Sequence, residues 1–264
     1  MKAKPFDLKT YLDQLVSQFN QRDFIEQDPI SIPKRFELKQ DIEISGLWIA
    51  LLAWGNRKSI LQSGTKLLEW MDQKPYEFII HHTETDRKPF LKFVHRTFNG
   101  EDALYFLEFF QNYYREHSSL ESAFTNSALL DEEHVGPSLI RFKANYIKYC
   151  NPAKRSLKHI ASPESNSKCK RLLMFLRWMV RSDLQGIDFG IWKTIKPSQL
   201  LMPLDVHVEK NARKLGMLTR KQSDWKAVLE LSANCRKLDP NDPVKYDFAL
   251  FGLGISEKKK TTTK

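Results

Sequence analysis

The chain has 264 residues, of which 41% are hydrophobic, a size that allows one large domain or two lobes sharing a cleft. Its 42 Lys and Arg residues outnumber the 32 Asp and Glu residues, and the formal charge of +10 favours an anionic partner over a neutral metabolite. Nucleic acid is the commonest such partner, although the same charge also fits an evenly solvated surface, so composition alone leaves both interpretations open.

Helical periodicity dominates the chain, and its ten glycines are too few for a turn-rich β fold. The predicted helices, in chain order, cover 6–20, 40–54, 57–71, 87–96, 101–116, 138–149, 168–181, 206–215, 222–235 and 243–252. No segment alternates apolar and polar residues for long enough to predict a strand. The predicted fold class is therefore all-α, with residues 1–254 as a single unit and residues 255–264 as a basic, disordered tail.

Aromatic residues are concentrated in predicted helices. In "DALYFLEFFQNYYREH", the side chains of Leu104, Leu107, Phe110 and Tyr114 recur at helical spacing on one face. The same reasoning applies to Trp48, Trp54 and Trp178, which have Leu and Met neighbours at helical spacing. We therefore expect these aromatics to pack in the core and not to stack on nucleobases.

Basic residues crowd the stretch from 151 to 181. The candidates for nucleic-acid binding are Lys154, Arg155, Lys158, Arg171, Arg177 and Arg181. Arg177 and Arg181 are one helical turn apart, so they are expected on an external face, where they bind phosphate or pair with local carboxylates. Together with Lys168 and Lys170, most of this set is expected to form one electropositive surface.

A single carboxylate, Asp205, stands between Pro203 and a strongly helical run in "MPLDVHVEKNARKLGML". An Asp at this position is typical of a helix N-cap, whose oxygen accepts the unpaired N–H groups of the first turn. A fixed carboxylate can also stabilise the positive charge that develops on a sugar when its bond to a base breaks. From the residues alone, both interpretations remain open.

Several classes of protein are excluded by what the sequence lacks. Cys150, Cys169 and Cys235 are too scattered for a zinc cluster and too few for four-cysteine ligation, and no histidines are paired on a helix. We therefore predict no metal and no cofactor.

No apolar run approaches the ~20 residues of a membrane span, and the first residues lack a signal-peptide core. These features predict a cytoplasmic protein with no membrane contact, and nothing in the sequence leads us to infer an obligatory protein partner.

Four segments together carry a family resemblance: "DIEISGLWIALLAWGNRKSILQSGTKLLEWM" (41–71), "SKCKRLLMFLRWMVR" (167–181), "MPLDVHVEKNARKLGML" (202–218) and "DPNDPVKYDFALFGLG" (239–254). They resemble an uncharacterised bacterial all-helical family and, more distantly, the helix-hairpin-helix DNA glycosylases. The second resemblance rests on segment order and on "PLDVHV", which is similar to the stretch that carries the catalytic aspartate of those enzymes. It implies a two-lobed helical fold with the active site in a cleft.

The glycosylase resemblance also implies roles for particular residues. Asp205 occupies the position of the catalytic aspartate, Lys170 or the alternative Lys168 that of the lysine nucleophile, and His207 a supporting position. The sequence departs from the pattern because it has no glycine between 137 and 185, so the phosphate-binding hairpin is degenerate or replaced by a turn rich in Ser and Asn.

Three functions follow as hypotheses. The first is a DNA-repair N-glycosylase, with or without lyase activity, that excises a damaged base from duplex DNA. The alternative is a noncatalytic nucleic-acid-binding protein that keeps the fold, since a fold does not carry an activity by itself. The third is a helical scaffold or small-ligand protein whose charge is incidental.

Overall fold

The computed structural model describes residues 6–25 and 28–262, except for the side chains of Phe24, Leu130 and 257–262. Its helices are α1 (Leu8–Phe19), α2 (Lys39–Leu52), α3 (Arg57–Glu69), α4 (Pro75–His81), α5 (Glu84–Arg87), α6 (Gly100–Glu116), α7 (Glu121–Phe124), α8 (Gly136–Cys150), α9 (Lys170–Val180), α10 (Val206–Lys214), α11 (Trp225–Leu238) and α12 (Tyr246–Thr262). Short 3₁₀ turns connect several of them. The predicted all-α class is confirmed.

Within these described ranges, the β structure is limited to one antiparallel hairpin. Strand β1 (Val94–His95) pairs with β2 (Phe98–Asn99), with Val94 opposite Asn99 and His95 opposite Phe98. The predicted helix over 87–96 is therefore wrong. Pro89 lies in a 3₁₀ turn, Lys88–Lys92, and Arg96 has a positive φ of 57°, which no right-handed helix accommodates.

Helix α2 is the centre of the fold. Every residue from Ile42 to Leu52 is buried, because the helix packs against α3, α4 and α9 on different sides. The contact with α9 is close at Gly46, where a Cβ would lie 3.1 Å from Cε of Met179 and 3.3 Å from Cε2 of Phe175. Apart from Glu43 and Ser45, this stretch has apolar residues or glycine on all sides of the helix, which is typical of such a buried position.

One charged side chain, Glu43, is completely buried on α2. Its carboxylate accepts hydrogen bonds from Trp192 Nε1 (2.6 Å), Tyr114 Oη (2.8 Å) and the backbone N–H of Leu120 (3.0 Å). Ser119 Oγ donates a fourth over 2.5 Å. The carboxylate therefore ties α2 to α6 and to two loops, with donors replacing the water that burial removes.

Aromatic rings fill the interface between α6 and α8. Phe106 and Phe109 lie 4.9 Å and 5.3 Å from the ring of Tyr146, and Phe110 is also fully buried. Leu107, Phe110 and Tyr114 are buried, as are Trp48 and Trp178, so the expected core role of these residues is confirmed. Leu104 is only partly buried at the edge of this core.

Helix α12 packs against both α1 and α10 and so brings the C-terminal part of the chain next to Asp205. It continues to Thr262, through most of the segment for which we expected a tail, and Thr263 and Lys264 lie outside the described residues. In the part of the chain that the structure describes, no helix combines the length and apolar character needed to cross a membrane.

Candidate functional site

A cleft of about 790 Å³, here called the central cleft, opens where four parts of the chain meet. These are the turn between α2 and α3, the first turn of α9, the segment that leads into α10, and the face of α12. The candidate site residues that line it are Asp205, Lys170, Lys168, His207, Arg171 and Arg177. The structure thus places the two candidate catalytic residues in the same cavity.

Asp205 is the N-cap of α10, as predicted. Its Oδ1 accepts a hydrogen bond of 2.8 Å from the backbone N–H of Val208, and its backbone is extended. Pro203 and Leu204 before it are buried and fix the entry of the chain. Among the residues described, no hydrogen bond reaches Oδ2 of Asp205. Capping therefore orients the side chain and leaves one oxygen available in the cleft.

Lys170 is the first residue of α9. The preceding residue, Cys169, has a left-handed backbone conformation with a φ of 48°, and its side chain does not cap the helix. The Nζ of Lys168 lies 3.5 Å from Oε2 of Glu209, a residue of α10, and so forms a salt bridge. No carboxylate of the described residues lies within 4.0 Å of the Lys170 amine. Of the two candidate nucleophiles, Lys170 is therefore the one without a salt bridge.

A second carboxyl in the cleft wall, Asp247 of α12, has no counterpart among the predicted site residues. Burial raises its pKa to about 6, although the charges of Arg177 and Lys170 lower it, and the charge of Asp205 raises it further. Its Oδ2 accepts a hydrogen bond from Arg177 Nη1. Asp205, Lys170 and Asp247 thus form one electrostatically coupled group.

Asp28 is a third carboxyl at the cleft, and sequence reasoning missed it as well. It caps the 3₁₀ turn Pro29–Ser31 by accepting a hydrogen bond of 3.1 Å from the N–H of Ile30. Burial raises its pKa, and the Ile30 hydrogen bond and the charges of Arg177, Arg57 and Lys170 oppose that rise. In the sequence, Asp28 and Asp247 show only the features of ordinary turn and helix-start residues.

His207 lies in the first turn of α10 with its ring 5.8 Å from that of Phe251, edge to face. A Cβ on Gly254 would come within 2.6 Å of His207 Nδ1, so α10 and α12 approach closely here. The ring therefore has a packing function at the cleft wall, and the supporting role of His207 stays a prediction.

The basic residues do not form the single surface that we predicted. Lys158, Lys168, Lys170 and Arg171 do line one cavity of about 380 Å³ beside the central cleft. Arg155 is instead turned towards α6, where it binds Glu101 and lies 3.5 Å from Asp102. Lys154 is exposed and lines neither cavity.

The prediction of an external face for Arg177 and Arg181 is wrong. Their exposed fractions are 6% and 2%, respectively. Arg177 binds Asp188 (3.3 Å) as well as Asp247, and Arg181 binds Asp188 (3.1 Å) together with the carboxylates of Asp183 (2.6 Å) and Asp242 (2.9 Å). Helical spacing correctly placed both on one face. The expected local carboxylates are Asp183 and Asp188 in the loop after α9, whereas Asp242 and Asp247 come from distant segments.

Trp54 also departs from its predicted place in the core. It is only partly buried, lines the central cleft, and is adjacent to a second groove of about 370 Å³ between α3 and the β1–β2 hairpin. Sequence spacing could not reveal this, because α2 ends at Leu52 and Trp54 belongs to the following turn.

In the described residues, the structure contains no group of three or more His, Cys, Asp or Glu side chains arranged to hold a metal ion.

The sequence profile of the family described as "Protein of unknown function (DUF2400)" matches residues 28–256. The chain belongs to this family. The match begins at Asp28 and includes every residue named above in the central cleft. Membership of an uncharacterised family is thus confirmed.

No curated protein and no solved structure matches the chain. The distant resemblance to helix-hairpin-helix DNA glycosylases therefore has no support from these comparisons, and the two-lobed glycosylase-like fold stays a prediction.

Proposed function

We propose that the chain is a DNA N-glycosylase that excises a damaged base from duplex DNA, with lyase activity through Lys170. The observation that carries the proposal is that Asp205 and Lys170 line the same cleft. They stand at the N-termini of two different helices, α10 and α9. A cleft of about 790 Å³ is of the size that encloses a small organic ligand, such as an extruded base.

The chemistry assigned to each residue follows from its placement. When the bond between C1′ and the base breaks, the base leaves with the electron pair and positive charge develops on the sugar. The carboxylate of Asp205 stabilises that charge without reorganising, because capping already fixes it. The Lys170 amine, once neutral, attacks C1′ and forms the covalent link that a lyase requires.

The basic cavity beside the central cleft supports an anionic partner. Lys158, Lys168, Lys170 and Arg171 line it together with Asn166 and Ser167, at the uncapped N-terminus of α9. Cations and free backbone N–H groups in this arrangement attract a phosphate. The same cavity also serves the alternative function, a noncatalytic nucleic-acid-binding protein, so only a measurement of excision distinguishes the two.

The test uses end-labelled duplexes that each carry one damaged base: an oxidised purine, an oxidised pyrimidine, an alkylated purine or uracil. Excess protein is incubated with each duplex, and alkali then reveals excision as strand cleavage. We expect cleavage of at least one duplex, and a loss of about 100-fold or more in Asp205→Asn. The matched control is Asp7→Asn, which alters the N-cap of α1 and should leave the rate unchanged.

Duplex binding without cleavage of any lesion would reject the glycosylase and favour the noncatalytic protein. Because phosphate contacts release counterions, such binding must weaken as salt rises. A protein that neither cleaves nor binds the duplexes would contradict both functions.

A further inference from the structure

The indole of Trp54 is in cation–π contact with two guanidinium groups. The Cζ of Arg96, in the turn of the β1–β2 hairpin, is 4.8 Å from the ring centroid, and that of Arg171, in the first turn of α9, is 5.9 Å away. Trp54 lines both the central cleft and the groove beside the hairpin, here called the hairpin groove. Both guanidinium groups therefore contact the residue that the two cavities share.

Neither cation is neutralised by a carboxylate. Over the residues described, no Asp or Glu lies within 4.0 Å of Arg96 or Arg171, and the contact of Arg171 is a hydrogen bond to the backbone oxygen of Leu51. Burial lowers the pKa of Arg171, and no neighbouring acid opposes this effect. The buried Arg177 and Arg181, by contrast, each bind two or more carboxylates.

The two positive charges act on the same region. Burial lowers the pKa of His95, and the charges of Arg96 and Arg171 lower it further. Two like charges that contact the same indole, of which that of Arg171 is partly buried, are unfavourable until an anion lies beside them. The region is thus electrostatically suited to an anionic group.

The local sequence provides the space for Arg96. Gly55 has a φ of 104°, and a Cβ at this position would lie 2.2 Å from Nη1 of Arg96. Arg96 itself has a φ of 57° in the hairpin turn. A glycine at 55 therefore permits both the turn after Trp54 and the passage of the guanidinium across it.

We propose that Arg96, Arg171 and Trp54 form a binding site for a phosphate group of a nucleic-acid strand that passes from the central cleft into the hairpin groove. This inference deepens the proposed function and rests on it for the source of the phosphate. Guanidinium groups match phosphate oxygens in geometry, and the cation–π contacts with the indole restrict their positions before the ligand arrives.

The first experiment measures binding of a fluorescent duplex by anisotropy at several salt concentrations. Arg96 is exposed, so Arg96→Gln should fold normally. We expect about tenfold weaker binding and a reduction of about one in the slope of log affinity against log salt. Arg115→Gln, an exposed arginine of α6 outside both cavities, is the matched control and should behave as wild type. Wild-type affinity and slope in Arg96→Gln would overturn the proposal.

A second experiment identifies the source of the phosphate. Inorganic pyrophosphate is titrated calorimetrically into the wild type, Arg96→Gln and Trp54→Leu. Pyrophosphate binding that requires Arg96 but occurs without duplex binding would keep the anion site and reject a nucleic-acid strand as its source. Duplex binding that requires Arg96, with no excision of any lesion, would keep this inference and reject the glycosylase.

Discussion

Arg177 donates a hydrogen bond from Nη1 to Oδ2 of Asp247 in the wall of the central cleft. The pair is not a simple ion pair, because burial raises the pKa of Asp247 to about 6 in spite of the Arg177 charge. The charge of Asp205 contributes to that rise. Protonation of Asp247 would therefore change the charge of the central cleft at a higher pH than for an ordinary Asp.

Asp247→Asn should change how stability depends on pH. The folded-state pKa of about 6 lies above the ordinary value of 3.8, so folding favours the protonated carboxyl. The wild type should therefore lose stability relative to the variant as pH rises from 3.8 to about 6. The slope should be at most about 1.4 kcal/mol per pH unit. Urea unfolding of both proteins at a series of pH values measures it, and a constant difference between them would contradict the assignment.

Borohydride trapping should distinguish the two candidate lysines. A Schiff base between an amine and C1′ is reduced to a stable protein–DNA adduct, which is detected by gel electrophoresis. We expect the adduct to disappear in Lys170→Gln and to persist in Lys168→Gln, because Lys168 is engaged by Glu209. An adduct lost only in Lys168→Gln would reverse the assignment.

Substitutions of Asp205 should separate capping from catalysis. Asn keeps an oxygen that accepts the Val208 N–H, so Asp205→Asn should cost at most about 1 kcal/mol of stability. Asp205→Ala removes the cap and should cost roughly 1 kcal/mol or somewhat more. Chemical unfolding measures both values. Excision at the wild-type rate in Asp205→Asn would mean that Asp205 serves only as a cap.

Glu43→Ala should be among the most destabilising substitutions in the chain. It leaves the Trp192 Nε1–H, the Tyr114 hydroxyl and the Leu120 N–H buried without an acceptor. Each unpaired donor costs about 1–3 kcal/mol, so a loss of roughly 3 kcal/mol or more is expected on urea unfolding. Glu69→Ala, at an exposed position on α3, is the control and should change stability by about 0.5 kcal/mol or less. Equal effects of the two substitutions would contradict this account of Glu43.

Several long helices could be predicted from the sequence because helical periodicity is combined there with an Asp or Asn at the start. Asp205 was predicted as a cap and found as one, and α6 was predicted at 101–116 and found at Gly100–Glu116. The seven-residue α4 and the four-residue α7 are too short to show a period. The hairpin was missed because each of its strands has only two residues.

The candidate site could be predicted only in part, because its ionic contacts join distant segments. The position before a helical run identified Asp205 as a cap, and the family resemblance pointed to Lys170, but nothing near Arg177 in the sequence indicates that Asp247 lies beside it. A run of basic residues looks the same whether its members face solvent or carboxylates. The sign of the net charge was thus a poor guide to which arginines are exposed.

The close contact of α2 with α9 has a consequence for the geometry of the cleft. Trp54 follows the C-terminal end of α2, and Lys170 and Arg171 begin α9, so the two sides of the opening are extensions of these two helices. Gly46 lies at the contact between them, and a Cβ at this position would require Met179 and Phe175 to move by a few tenths of an ångström. The two sides of the cleft are therefore connected through a tightly packed helix contact that lies outside the cleft itself.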